Sequence, residues 1–441
     1  MSVLNVVRLQ KPREIAARVL QQHAAGTEYV ETLLDAELAK ARLSQKDAAL
    51  CQELVYGVVR WQAALDWLIA RRTKGQTQKP ALRNLLRLGL YQIFWLDRIP
   101  DHAAVFETVE LAKRNGFGPQ SGFVNAVLRG YLRESAAIEQ ALVDLKTTQP
   151  PLGYSHPEWL WMRWRDQWGV DQAKQLMAWN NTPPPTYARV NTLKTDAGKL
   201  LAQWRDEGVE YDFFRSDWTG ENLVFELKSH PLLTTLPSFH QGFFYVQDPS
   251  TLLAAHELNP RPGETVLDLC AAPGGKTTCA AQLMQNQGRI VAQDVSAERL
   301  RLVQENCSRL GVSCVETALA PDPSHCSLHT SQFDKVLVDV PCSNTGVMRR
   351  RVDLRWRLRP EEFKRLRAAQ GDLLRQAAAA LKAGGTLVYS TCSLEPEENG
   401  GVIQQFLAEH TDFQPTTERT LLPFIDQVDG AYVAKLTRSA S

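Results

Sequence analysis

Three short apolar runs in the second half of the chain each end in a cluster of small, acidic or reactive residues. The first is Val266-Leu267-Asp268-Leu269-Cys270-Ala271-Ala272-Pro273-Gly274-Gly275-Lys276. The second is Val336-Leu337-Val338-Asp339-Val340-Pro341-Cys342-Ser343. The third is Thr386-Leu387-Val388-Tyr389-Ser390-Thr391-Cys392-Ser393. From about residue 241 such runs alternate with helical stretches. Candidate strands are 265–269, 289–293, 312–315, 335–339, 386–390 and 431–436, and candidate helices lie near 276–286, 296–310, 361–381 and 397–409. The alternation predicts βαβ units on a largely parallel sheet with right-handed crossovers. Ligands of open α/β sheets bind outside the carboxyl ends of the strands. The three clusters therefore point into one crevice.

At 441 residues the chain is too long for one core. Residues 1–148 read as an all-helical domain. Leu50, Leu54, Val58, Trp61, Leu65 and Leu68 recur at intervals of three and four, as do Leu82, Leu85, Leu86, Ile93 and Phe94. Gln149-Pro150-Pro151-Leu152-Gly153-Tyr154-Ser155 reads as a linker. It opens a small α/β module over 149–240, which begins with a Trp-rich helix whose tryptophans read as packing. Residues 241–441 form the third, α/β domain. The first twenty residues lack an apolar signal region, and no uninterrupted apolar stretch is long enough for a membrane span, so a cytoplasmic protein with no membrane association is expected. The eight cysteines have no C-x-x-C pair and no zinc spacing, so no metal is expected and reduced thiols are.

Ala271-Ala272-Pro273-Gly274-Gly275 is neither a dinucleotide fingerprint nor a P-loop. Glycines just before a helix let backbone approach a ligand closely. Asp294 ends the next strand, where an acidic side chain holds ribose hydroxyls in doubly wound sheets. Residues Cys270, Ala271, Ala272, Pro273, Gly274, Gly275 and Lys276, with Asp294 and Asp339, are the candidate cofactor site. A nucleoside cofactor without a pyrophosphate fits, and S-adenosyl-L-methionine fits better than a dinucleotide.

Cysteine usually behaves as a small buried hydrophobe, and Cys51, Cys279, Cys307, Cys314 and Cys326 are read that way. Cys342 and Cys392 differ because each lies just past a strand and precedes a serine. A methyl donor facing two thiols suits methylation of a pyrimidine at C5. That carbon is a poor nucleophile until a thiolate adds to C6. One thiol adds, a second group helps release, Asp339 can bond the N3 edge of the base, and Lys276 can stabilise a thiolate. Asp-Val-Pro-Cys also differs from the Asp/Asn-Pro-Pro-aromatic tetrapeptide expected for an exocyclic amine acceptor.

Net charge is only +1, so attraction to a polyanion must be local. Met348 to Arg367 holds nine basic and three acidic residues, among them Arg349, Arg350, Arg351 and Arg355, directly after Cys342. This run reads as a track for an RNA backbone. A second basic patch is Arg71, Arg72, Lys74 and Lys79.

These residues resemble the bacterial 16S ribosomal RNA cytosine-C5 methyltransferase B family, within the NOP2/Sun RNA methyltransferases. The likeness rests on Asp268 to Lys276, Asp339-Val340-Pro341-Cys342-Ser343, Thr391-Cys392-Ser393 and Pro396-Glu397-Glu398-Asn399. Glu53-Leu54-Val55-Tyr56-Gly57-Val58-Val59-Arg60 and Phe123-Val124-Asn125-Ala126-Val127-Leu128-Arg129 resemble a NusB-type RNA-binding domain, and Tyr187-Ala188-Arg189-Val190-Asn191 the linking segment. The resemblance implies a NusB-like bundle, a small α/β module and a Rossmann-like methyltransferase domain. It also implies Cys392 as nucleophile and Cys342 as the helper of product release. Arg189 and Asn191 join the RNA-contact candidates. A monomer acting on small-subunit ribosomal RNA and not on DNA is expected. Transfer RNA as substrate, or a non-catalytic assembly factor, are the alternatives. One departure is that the family's acidic residue after the third strand is absent or displaced to Asp322.

Overall fold

The computed structural model describes residues 11–320 and 332–440, so Asp322 lies outside the described residues. The chain forms two compact units, Met1–Thr182 with Met348–Arg357, and Pro183–Val347 with Leu358–Ser441.

The first unit is helical, from Pro12–Ala25 to Val170–Trp179. Its core contains Leu54, Val58, Leu65, Leu68, Leu82, Leu85 and Leu86, the stripes expected from the spacing. The first stripe is not continuous. It breaks at Trp61, where one helix, Gln45–Arg60, hands over to the next, Gln62–Thr73. Gly57 admits the ring of Tyr91, since a Cβ there would lie 1.9 Å from a ring carbon. The expected linker is instead a helical turn, Pro150–Gly153. Two more helices, Glu158–Trp168 and Val170–Trp179, belong to this unit, so it extends past residue 148 to Thr182. Trp161 and Trp164 of the Trp-rich helix are buried.

The segment Met348–Arg357 completes this unit. Asp353 accepts a hydrogen bond from the Val30 amide at 2.9 Å and pairs with Arg357 at 3.0 Å. The Trp356 indole donates to the Val59 carbonyl. The Arg355 guanidinium, fully buried, donates to Asn181 Oδ1 at 2.7 Å and to the Asn180 carbonyl at 2.8 Å.

The second unit begins with a four-stranded antiparallel sheet. It comprises β1 (Thr186–Val190), β2 (Glu210–Phe214), β3 (Val224–Ser229) and β4 (Phe244–Val246) in the order β2-β3-β1-β4, with Trp204 of the helix Ala197–Glu207 buried in its core. A seven-stranded sheet follows, built from β5 (Thr265–Asp268), β6 (Arg289–Asp294), β7 (Val315–Leu319), β8 (Phe333–Asp339), β9 (Leu381–Thr391), β10 (Phe413–Leu421) and β11 (Ala431–Arg438). Its order is β10-β11-β9-β8-β5-β6-β7. Strands β5 to β9 run parallel, while β10 and β11 add antiparallel pairs at one edge. The order reverses between β5 and β8, which is the switch point where such sheets bind ligands.

Arg189 and Asn191 hold the small sheet against the large one. Arg189 donates to Gln247 Oε1 at 2.9 Å, the Gly275 carbonyl at 3.1 Å and Thr278 Oγ1 at 3.0 Å. Asn191 donates to the carbonyls of Gly242 and Leu310, both at 2.8 Å.

A Gly57→Ala substitution drives a methyl group into the Tyr91 ring and should cost about 1–3 kcal/mol. The measurement is the unfolding midpoint of the helical unit, which should fall while the α/β unit's transition stays put.

Candidate active site at the sheet switch point

The turn after β5 is built from the strand upward. The Ala271 amide donates to the Gln293 carbonyl at 2.8 Å, which carries the turn over the end of β6. Gly274, at φ +101°, opens the helix Gly275–Leu283, and a Cβ there would press on Val303 at 3.3 Å. Asp294 at the end of β6 pins the turn. It accepts from the Ala272 amide at 3.3 Å and the Ser296 amide at 3.1 Å, and it pairs with Arg299 at 3.2 Å. Asp268 is buried. Thr277 donates to one of its oxygens at 2.7 Å, and the other has no protein partner. Burial, aided by the nearby Asp339 charge, lifts the Asp268 carboxyl to about 7 against the pull of the Thr277 bond. Burial and then the Asp268, Asp339 and Asp294 carboxylates push the Cys270 thiol upward, which keeps it protonated and inert.

The ends of β8 and β9 bring the thiols together. Cys342 and Cys392 place their sulfurs 3.2 Å apart. Cys342 is buried, whereas Cys392 retains partial access. The Cys392 thiol donates to Asn344 Oδ1 at 3.0 Å, and Asn344 Nδ2 donates to the Cys342 carbonyl at 2.8 Å. Asn344 was not singled out in the sequence. Its left-handed φ of 58° is a conformation that asparagine tolerates better than most residues, so an asparagine in the turn just after Cys342-Ser343 was the available signal. The Cys342 thiol is pushed well above its ordinary value, first by its hydrogen bond to Cys392, then by burial, then by the charges of Cys392 and Glu398.

Asp339 pairs with Lys276 Nζ at 2.6 Å and accepts from Ser390 Oγ at 2.5 Å. Burial opposes the Lys276 charge, but the Asp339 carboxylate more than offsets it, and the lysine is held above its usual range. Thus Cys270 to Lys276, Asp294, Asp339, Cys342 and Cys392 all fall within one unit, around one sheet edge.

The RNA-contact candidates fare differently. Arg189, Asn191, Arg349 and Arg355 are all buried. Arg189, Asn191 and Arg355 spend their donors on protein carbonyls and side chains, and the Arg349 guanidinium lies 4.1 Å from the Trp179 ring centroid. These four are scaffold residues, a correction forced by burial. Arg351 is exposed and Arg350 is half-buried.

Comparison with known proteins agrees with this layout. Three family models match: "16S rRNA methyltransferase RsmB/F" over residues 255–437, "NusB family" over 10–133, and "Methyltr_RsmF/B-like, ferredoxin-like domain" over 156–224. The ribosomal RNA small subunit methyltransferase B of Erwinia tasmaniensis is 38% identical, the match covering 97% of this chain and 98% of that protein. The chain belongs to the ribosomal RNA small subunit methyltransferase B family. It is an S-adenosylmethionine-dependent RNA methyltransferase. The probable family member of Bacillus subtilis is 38% identical over 91% of this chain and 89% of its own length. Among solved structures, the protein PH0851 superposes with a TM-score of 0.77 at 25% identity, covering 97% of this chain and 100% of that one. A methyltransferase homolog from Pyrococcus horikoshii gives 0.58 at 33% identity, over 65% of this chain and 97% of its own.

The residues present fit the cofactor of this family. The Gly274-Gly275 cradle would be filled by a Cβ, and the unpartnered Asp268 oxygen offers a buried acceptor for a donor group such as an amine.

Because the folded-state value of Asp268 is raised, its contribution to stability is fully present below the unfolded value, near 3.8, and is lost as pH rises through about 7. The wild-type α/β unit should therefore lose stability relative to Asp268→Asn between those two pH values. Denaturant titrations of both proteins across that window check the sign.

Proposed function

We propose that this methyltransferase modifies C5 of a cytosine in 16S small-subunit ribosomal RNA through a covalent bond between Cys392 and C6. The observation that carries the reading is the pair of strand-end thiols 3.2 Å apart beside the Lys276–Asp339 ion pair.

The asymmetry between the thiols supports a division of roles. Cys342 is buried and biased to keep its proton, so Cys392, which retains partial access, gives up its proton to solvent and adds to C6 as thiolate. The new S–C6 bond pushes an electron pair to C5. When bound, S-adenosylmethionine would supply the electrophilic methyl group that this carbon takes, leaving as S-adenosylhomocysteine. A base then takes the C5 proton, the electron pair returns, and the S–C6 bond breaks. The Cys342 S–H, donating to the departing Cys392 sulfur, stabilises the thiolate that leaves. Asp339, held by Lys276 and Ser390, presents an acceptor to the base, and its lysine partner keeps the local charge balanced as the adduct forms. The target cytosine must be unstacked or single-stranded to reach the sulfur.

The printed names of the relatives support ribosomal RNA over transfer RNA or DNA. One chain contributes every group named above, so a monomer suffices, and cytoplasmic ribosome assembly is where it would meet this substrate.

Cys392→Ala should abolish methyl transfer, which near-normal turnover would disprove. Cys342→Ala should leave a slowly released protein–RNA adduct, visible as a shifted band on a denaturing gel. In cells lacking the gene, nucleoside mass spectrometry and site mapping should show loss of one 5-methylcytosine from small-subunit ribosomal RNA. Loss from a transfer RNA instead would reassign the target, and no change in any RNA would reject the catalytic reading.

A further inference from the structure

The segment Pro396-Glu397-Glu398-Asn399 has no role in the chemistry above, yet it carries a fully buried carboxylate, that of Glu398. Its Oε1 accepts from the Ser343 amide and from Gln370 Nε2, both at 2.9 Å. Its Oε2 accepts from Ser393 Oγ at 2.5 Å and from Ser343 Oγ. Four donors fill the acceptor capacity of one carboxylate. Ser343 directly follows Cys342, and Ser393 directly follows Cys392. The two serine hydroxyls lie 3.0 Å apart across the carboxylate.

The neighbours extend the pattern. Gln370 Nε2 also reaches the carbonyl of Pro341, the residue before Cys342. Asn399 accepts from Thr391 Oγ1 at 2.7 Å and donates to the Ser393 carbonyl at 2.9 Å, gripping the residues on both sides of Cys392. Glu398 itself is anchored from below, because the Tyr389 hydroxyl donates to its backbone carbonyl at 2.6 Å.

Burying a carboxylate is costly unless every lone pair is used. Apolar contacts could hold two loops together without that cost. A carboxylate shared between the residues that adjoin the two thiols does something packing cannot, which is to fix both backbones to one point with directional bonds. We infer that Glu398 is a positioning residue that sets the separation and orientation of Cys342 and Cys392. This deepens the two-thiol reading proposed above and rests on it. The charge of Glu398 also lies close enough to help keep Cys342 protonated, after the larger effects of the Cys392 hydrogen bond and burial.

The test reads the sulfur pair without RNA. Diamide takes two electrons and two protons from a pair of thiols, forming an S–S bond and the reduced hydrazine. In the wild-type protein the rate at which Cys342 and Cys392 close, followed by peptide mass spectrometry, reports how often the sulfurs meet correctly. Glu398→Ala should slow closure about tenfold or more, a typical consequence of lost preorganisation. Calorimetric affinity for S-adenosylmethionine should be unchanged, and turnover should fall in kcat and not in KM for the cofactor. Ser343→Ala combined with Ser393→Ala removes only the hydroxyl arms and should move closure the same way if Glu398→Ala fails to fold. Glu398→Gln, which keeps one acceptor oxygen, should rescue part of the rate. Closure at the wild-type rate in both variants overturns the inference, as does slow closure accompanied by lost cofactor binding, which would make Glu398 a general support of the unit. A wrong base or substrate would show in the nucleoside analysis and would leave the closure rates as they are.

Discussion

The parallel register of β5, β8 and β9 is the constraint on which the site depends. Asp268 lies opposite Leu337, Leu337 opposite Val388, and Asp339 opposite Ser390. Parallel strands finish at the same edge, so three chain segments far apart in sequence deliver their turns to one place. Because side chains alternate along a strand, a slip of one residue would swing Asp339 to the other face and take the Cys342 turn with it. The register is held by Val336, Leu337, Val338, Leu387, Val388 and Tyr389, all essentially buried. The hydrophobic core thus does the aligning, and the polar chemistry occupies only the last one or two residues of each strand and the turn beyond.

That arrangement explains how one residue type takes on three characters within one unit. Cys270 is surrounded by three carboxylates and cannot easily ionise. Cys342 is buried, with its sulfur 3.2 Å from that of its neighbour. Cys392 retains access and donates a hydrogen bond to an amide oxygen. Nothing in the side chain differs, only the turn that carries it. The Lys276–Asp339 pair places a cation and an anion in the same small space, so the site can hold a charged reactant and a developing negative charge without a net field of its own.

Most of this was legible in the chain because periodicity and strand-end chemistry are local signals. The strands at 265, 289, 335, 386 and 431 are strongly apolar, and the turns after them carry unusual residues. β10 was not legible. It is an edge strand with most side chains exposed and a proline at 415, and so lacks the apolar alternation that marks a strand. The third strand was placed too early, since Val315–Leu319 is only partly buried at one flank of the parallel run. The basic run after Cys342 misled for a different reason. Charge in a sequence says nothing of burial, and Arg349 and Arg355 are buried inside the helical unit, Arg349 over the Trp179 ring and Arg355 against Asn180 and Asn181. The motif around Glu398 was legible as a family signature but its role was not, because a carboxylate's partners are set by tertiary structure and lie as far as 55 residues away.

The excursion Met348–Arg357 has a consequence for how the protein is made. The helical unit reads as an N-terminal domain, but Asp353, Trp356 and Arg355 supply interactions that its helices lack until the ribosome has synthesised residue 357. Until then the carbonyls of Val59 and Asn180 and the amide of Val30 wait for their partners. The N-terminal half emerges first and is finished last, so the order of synthesis does not match the order of completion. A chain released before that point would present a helical bundle with an open seam, and the quality-control machinery of the cell would meet it in that state.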